Sequence, residues 1–174
     1  MKLAQCIILD LLKDYDPVPI LPETCDFHFS GVQLLDQDNP TDDPSILYIG
    51  TTTQISSFDT EKLKDFCIIC IGKKEDVSSY IENYQANLIL IPENHSLASV
   101  VNTLYTGFHR ILRWDAELQN AILSKQNYQS LFSIGGRFFG KNAMLMVNSS
   151  YNVIGTNLLE APGHEKLDFI LKNG

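Results

Sequence analysis

Short apolar runs alternate with polar segments over the first 95 residues of the chain. Apolar residues recur at helical spacing within residues 3–14, which predicts an amphipathic helix there. Prolines at positions 17, 19 and 22 end this helix, and we expect a loop at that point. Four apolar runs then predict buried strands, at residues 32–35, 46–49, 67–71 and 88–91. Short helices are expected between them, near residues 59–65 and 75–83.

This alternation of short strands and helices favours an α/β fold with a mostly parallel sheet and covering helices. Because parallel crossovers are right-handed, residues 1–95 are predicted to form a small Rossmann-like domain. The turns after the second and third strands lack the glycine spacing of nucleotide-binding loops. Structural turns are therefore favoured there. A small polar ligand held by Thr51, Thr52 and Lys73 at the strand ends stays open as the alternative.

A long helix is predicted from Ser96 onward, because Ser96 is a suitable N-cap and no proline interrupts about the next thirty positions. Six apolar residues in it follow a heptad-like register: Val101, Leu104, Phe108, Ile111, Leu118 and Ile122. In one interpretation the first half of this helix packs on the sheet and the second half only connects. In the other, the six residues pair with a second copy of the chain in a homodimer. Residues 96–126 are assigned as a connecting or dimerisation helix.

Residues 127–174 are expected to form a helix, a hairpin and a second helix. Residues 127–139 predict another helix that stops at Gly140, and residues 143–147 and 153–155 predict a hairpin. A last helix is expected at residues 164–172. One helix and one hairpin cannot bury their own apolar faces, so this part is either incomplete or packs on a partner.

The charge distribution limits the classes of partner. The net charge is −8, and residues 1–60 hold ten acidic and two basic residues, whereas the remainder holds eleven of each. The basic residues do not cluster as phosphate contacts require, so we do not expect this chain itself to bind DNA or RNA. No apolar run approaches the roughly 20 residues of a membrane helix, and no signal-peptide cleavage site follows the N-terminus. The sequence therefore predicts a cytoplasmic protein without a membrane partner.

Candidate chemistry is sparse. Cys67 and Cys70 form a C-x-x-C motif, but residues three apart on a strand point to opposite faces, which favours core packing. The four histidines lack metal-ligand spacing, and no cofactor or metal is expected. Arg110 and Arg113 flank Trp114, where they could hold an anionic ligand, although a helix-surface role is favoured. No catalytic residue is assigned, and the chain is not expected to be an enzyme.

Several segments together resemble the N-terminal sensory half of bacterial PucR-type transcription regulators (purine catabolism regulator-like). The segments are Leu47-Tyr48-Ile49-Gly50, residues 87–91, the helix bearing Asn102, Phe108, Trp114, Leu118, Ala121 and Ile122, Leu131-Phe132-Ser133-Ile134, and residues 142–155. The resemblance implies an oligomer that responds to a small-molecule effector, with residues 127–174 as the truncated start of a PAS/GAF-like α+β domain. It also implies a C-terminal helix-turn-helix domain for DNA, which this chain does not contain. It supplies no uniform ligand motif that could be transferred.

The sequence therefore predicts a ligand-sensing and dimerisation fragment of a transcription regulator, with the effector unidentified. Two other classes stay open. One is a small cytosolic α/β enzyme or stand-alone small-molecule-binding protein that uses the strand C-terminal turns. The other is a purely structural interaction domain.

Overall fold

A computed structural model describes residues 2–20, 27–36, 43–57, 66–78, 87–139, 145–150 and 153–156 of the chain. The chain divides into two compact units, Met1–His109 and Arg110–Gly174. One long helix begins in the first unit and ends in the second. None of the helices in the described segments is both long and apolar enough to cross a membrane.

The first unit is an α/β structure. Its strands are β1 (Leu3–Ala4), β2 (Val18–Ile20), β3 (His28–Phe29), β4 (Gly31–Leu34), β5 (Ile46–Thr51), β6 (Cys67–Ile71) and β7 (Asn87–Ile91). Its helices are α1 (Gln5–Leu11), α2 (Thr52–Ser57) and the first part of α3 (Leu97–Leu123), with 3-10 turns at Lys13–Tyr15 and Glu75–Val77.

Five of these strands form one sheet in the order β2-β7-β6-β5-β4, which confirms the predicted mostly parallel α/β sheet. Strands β4 to β7 are parallel, with Ile49 opposite Ile69 and Ile69 opposite Ile89, and β2 is antiparallel at the edge. The four parallel strands follow one another in chain order across the sheet. The order does not reverse among them, so the described sheet lacks the switch point at which doubly wound sheets bind ligands.

Both faces of the sheet are covered. Every residue of β6 and β7 is buried, as expected for apolar runs in central parallel strands. One face carries a core cluster that includes Tyr48, Ile68 and Cys70 together with Ile55 of α2. Cys67, an odd number of positions from Cys70, points to the opposite face and is also fully buried. The C-x-x-C motif therefore belongs to the core, as the sequence predicted.

The first half of α3 belongs to the core of the first unit. The Ser96 hydroxyl accepts the Ser99 N–H at 3.2 Å, which confirms the predicted N-cap. A Cβ on Gly107 would come within 2.6 Å of a Leu11 methyl carbon, so α1 and α3 lie in close contact there. The Tyr105 hydroxyl donates to the Val32 carbonyl at 3.0 Å and ties the helix to edge strand β4.

The prediction of a loop after the first helix was wrong, because Val18–Ile20 forms strand β2. Pro19 pairs with Ile89 at the sheet edge, where one side of the strand needs no N–H donor and proline is tolerated. The predicted helix over residues 3–14 is also shorter, since its first residues form β1, which pairs with β3. The helix expected at residues 59–65 and most of the one at 75–83 lie outside the described residues.

The second unit contains the end of α3, helix α4 (Tyr128–Phe139) and strands β8 (Leu145–Val147) and β9 (Val153–Thr156). Strands β8 and β9 pair in an antiparallel manner, which confirms the predicted hairpin. The Gln129 side chain joins α4 to β9, donating to the Thr156 carbonyl at 2.7 Å and accepting its N–H at 3.2 Å. Gly140 and the helix expected at residues 164–172 lie outside the described residues.

Candidate functional site

The residues predicted at the strand ends of the first unit are engaged in the fold itself. Thr51 caps α2: its hydroxyl accepts the Gln54 N–H at 3.3 Å, and Gln54 Oε1 accepts the Thr51 N–H at 2.8 Å. This reciprocal pair is a capping box. The Gln54 side chain also donates to the Leu35 carbonyl at 3.2 Å, which ties α2 to the end of β4. The geometry supports the structural turn that the sequence favoured.

Thr52 and Lys73 have partners of a similar kind. The Thr52 side chain is buried against Gly72, so closely that a Cβ on that glycine would overlap it. Lys73 Nζ lies 3.3 Å from Glu93 Oε1 in an exposed ion pair. An exposed pair of this kind contributes only about 0–1 kcal/mol. The structure thus gives each of the three predicted strand-end residues a structural contact.

We expect Thr51→Ala to lower the free energy of unfolding by about 1 kcal/mol, because the first turn of α2 loses its side-chain acceptor. Thr53→Ala is the matched control, since Thr53 is exposed on the same helix. Urea unfolding followed by circular dichroism measures both variants. Equal losses for the two would contradict the capping role of Thr51.

Burial makes the Cys70 thiol of the C-x-x-C motif unreactive. Burial raises the pKa of Cys70 to about 12, and the nearby Asp76 carboxylate adds to the rise. The thiolate is the nucleophile and the metal ligand, so a thiol that stays protonated at neutral pH performs neither task. Among the described residues, no three His, Cys, Asp or Glu side chains are placed to hold a metal ion.

A different site lies in the second unit, where α3 and α4 bring the arginines of the chain together. The sequence contains three arginines, Arg110, Arg113 and Arg137. The first two are on α3 and the third is on α4, and all three line one cavity. Residues 1–109 hold 16 acidic and 6 basic residues, whereas residues 110–174 hold 5 and 7. The cluster therefore lies in the part of the chain where basic residues prevail.

Glu117 joins two of these arginines. Its Oε1 lies 3.1 Å from Arg113 Nε, one helical turn away, and its Oε2 lies 3.0 Å from an Arg137 Nη on α4. The side chains are 83%, 34% and 66% exposed for Arg113, Glu117 and Arg137. Because water screens such pairs, each contributes roughly 0–1 kcal/mol. The bridge therefore orients the side chains but adds little to stability.

An aromatic pair forms the other side of this cluster. The Trp114 and Phe138 rings are stacked with centroids 4.4 Å apart and planes 20° apart, and they join α3 to α4. The Arg110 guanidinium carbon lies 5.6 Å from the centre of the Phe138 ring. Contacts of this type hold a cation over a ring face. Arg110 is thus held beside the other two arginines at the cavity.

Two neighbouring cavities share Glu117, Ile134 and Arg137. The smaller, of about 250 Å³, is lined by these residues and by Arg110, Arg113, Trp114 and Phe138. The larger, of about 620 Å³, is lined by Glu117, Asn120, Ala121, Gln126, Asn127, Gln129, Ser130, Ser133, Ile134 and Arg137. Guanidinium groups bind anions, and amides and hydroxyls bind polar groups of either hydrogen-bonding sense. Ligand sites commonly enclose about 300–1,000 Å³, so this pair has the size for a small molecule.

The six residues predicted for a dimer helix differ widely in their exposure to solvent. Leu104, Phe108 and Ile111 are 0%, 5% and 3% exposed and are therefore buried within the chain itself. Val101 and Leu118 are half-buried, and Ile122 is 62% exposed. The first three cannot contact a partner without leaving the core, and Ile122, near the end of α3, is the most exposed of the six.

Sequence reasoning found Arg110 and Arg113 but missed Arg137 and Glu117. The i,i+4 spacing of Arg113 and Glu117 was a usable signal for an ion pair on α3. Arg137 comes from another helix, and its approach depends on how α3 and α4 pack. No protein-family model matches this chain, and neither a curated protein nor a solved structure is similar to it. The resemblance to PucR-type regulators remains a prediction.

Proposed function

We propose that this chain is a ligand-sensing and dimerisation module of a cytoplasmic transcription regulator. The observation that carries the proposal is helix α3, Leu97–Leu123. Its first half contributes Val100 and Leu104 to the core of the α/β unit, and its second half lines both cavities of the second unit. An element shared in this way is a physical route by which binding at one place biases packing elsewhere.

In this proposal the effector enters the cavities beside the arginine cluster and changes the contacts between α3 and α4. Those contacts include one exposed ion pair, between Arg137 and Glu117, and one aromatic stack, between Trp114 and Phe138. The ion pair is weak because water screens it, so it can be rearranged at little cost. The module itself does not contact DNA. That task falls to a helix-turn-helix domain outside this chain, as the resemblance to PucR-type regulators implies.

Dimerisation is assigned to exposed apolar side chains around the end of α3: Ile122 and Leu123 on that helix, and Tyr128 at the start of α4. These large side chains are 62%, 79% and 56% exposed. Exposed apolar side chains of this size are common in protein interaction surfaces. Ile122 also keeps its place in the heptad-like register of the helix. A second copy of the chain is the proposed occupant.

We expect the chain to be a dimer in light scattering at high concentration, and Ile122→Glu to weaken the dimer at least about tenfold. A carboxylate in an apolar contact loses its water without gaining a partner. Ala116→Glu is the matched control, because Ala116 is exposed on the same helix but outside the register. A monomer at every concentration would overturn the dimer assignment, and an equal effect of the two variants would move the contact elsewhere.

A further inference from the structure

We propose that the cavity at the arginine cluster binds a small anion, with a carboxylate or phosphate group taking the place of Glu117 on Arg113 and Arg137. The inference deepens the proposed function and rests on it, since it names the chemical class of the effector. Three features of the second unit support it: the geometry of the Glu117 bridge, the surplus of positive charge, and the polar lining of the larger cavity.

The Glu117 bridge has the geometry of a bound anion. Each carboxylate oxygen accepts from one guanidinium, at 3.1 Å and 3.0 Å. A ligand carboxylate or phosphate that bridges two arginines would make the same pair of short, charge-assisted bonds. Glu117 is thus an internal stand-in for the ligand group. Because its partners are more than half exposed, a ligand can reach them from solvent.

The charge of the smaller cavity favours an anion over a neutral or cationic ligand. Its lining contains three arginines and one glutamate. Arg110 faces the Phe138 ring, whereas Arg113 and Arg137 share the single carboxylate of Glu117. The lining therefore retains excess positive charge in a chain whose net charge is −8. When a ligand displaces Glu117, two guanidinium groups exchange one carboxylate for another anion with no loss of hydrogen bonds.

The polar lining of the larger cavity favours a ligand whose remaining part is also polar. Its lining includes Asn120, Gln126 and Ser133, whose amides and hydroxyl bind donors and acceptors alike. Gln129 and Asn127 hold the walls in place: Gln129 pairs with the Thr156 main chain, and Asn127 Oδ1 accepts the Ser130 N–H at 2.9 Å. The ligand class is therefore an anionic group attached to a small polar body.

Trp114 provides a direct measurement, because it is the one tryptophan of the chain and it lines the smaller cavity. The full chain is titrated with citrate and with inorganic phosphate while Trp114 fluorescence is recorded. Triethyl citrate and trimethyl phosphate are the uncharged counterparts. We expect saturable binding of at least one anion and none of its ester. The relative affinities of citrate and phosphate distinguish a carboxylate ligand from a phosphate ligand.

Four variants separate ligand binding from a merely structural ion pair. We expect Arg137→Gln and the more exposed Arg113→Gln each to weaken anion binding about tenfold, the cost of one charge-assisted contact. Glu117→Gln should instead strengthen it, by about threefold or more, because an internal competitor is removed. Lys125→Gln removes an equal charge from the exposed turn after α3 and should leave binding within about twofold.

The outcomes bear on the two proposals separately. The anion inference is overturned if neither anion binds wild type or Glu117→Gln, if the esters bind as tightly, or if Glu117→Gln weakens binding as Arg137→Gln does. Light scattering without any ligand decides the dimer element independently. A dimer that binds no anion would leave the sensory module with a different effector class, whereas a monomer that binds citrate would keep the site and remove the dimer.

Discussion

Gly72→Ala is expected to lower the free energy of unfolding by roughly 2–4 kcal/mol. Gly72 has a φ of 153°, a conformation that residues with a Cβ rarely adopt. A Cβ there would also overlap the side chain of Thr52, which is buried at the start of α2. Backbone strain and steric overlap therefore add at one position.

A second substitution separates these two causes. Thr52→Ala removes the Oγ1 atom that would lie 2.6 Å from the new Cβ, together with the adjacent methyl group. Relative to Thr52→Ala alone, we expect the added Gly72→Ala to cost less than it does in wild type, and the cost that remains reports the backbone strain. Gly31→Ala is the matched control in β4, because its Cβ would lie an ordinary 3.4 Å from Ile46. Equal stability of Gly72→Ala and Gly31→Ala, measured by urea unfolding, would contradict this account.

The central strands and the long helix could be predicted from the local sequence pattern. Runs such as Cys67–Ile71 and Asn87–Ile91 are apolar at every or nearly every position, and a strand buried on both faces requires this composition. The long helix also followed from local signals, since Ser96 caps it and no proline interrupts it. These predictions depend on short-range chemistry, which is why they were confirmed.

The strands that were missed depend on tertiary context. Val18–Ile20 contains a proline, and it becomes a strand because β7 offers an edge with which it can pair.

The Thr51–Gln54 capping box is visible in the sequence as T-x-x-Q, but the helix that it begins has only six residues. A helix this short shows no apolar periodicity by which it could be predicted. Strand partners and short helices depend on contacts across the sheet, so local sequence does not predict them.

The candidate site shows the same division between local and distant contacts. Arg110 and Arg113 were recognised beside Trp114 because all three are neighbours on one helix. Arg137 and Phe138 complete the cluster from α4, and the stack of Phe138 on Trp114 is a contact across 24 positions of sequence. The three arginines meet through the packing of α3 on α4, which local pattern does not predict.

The heptad-like register of α3 illustrates why an apolar pattern alone cannot distinguish a dimer surface from a core. Leu104 fits the register, yet it is 0% exposed within the chain. We therefore expect Leu104→Ala to lower the free energy of unfolding by about 2–5 kcal/mol through the cavity that it leaves. Thr106→Ala, at an exposed position on the opposite side of the same helix, should change the free energy of unfolding by no more than about 0.5 kcal/mol.

Protein concentration distinguishes the two roles of Leu104. If the side chain fills the core of one chain, the difference in stability between wild type and Leu104→Ala is the same at low and high protein concentration. If it lies in a dimer contact, the difference grows with concentration, because association stabilises only the wild type by mass action. Urea unfolding at two widely separated concentrations, followed by circular dichroism, measures this directly. A difference that grows with concentration would place Leu104 in the dimer contact and contradict its burial in the first unit.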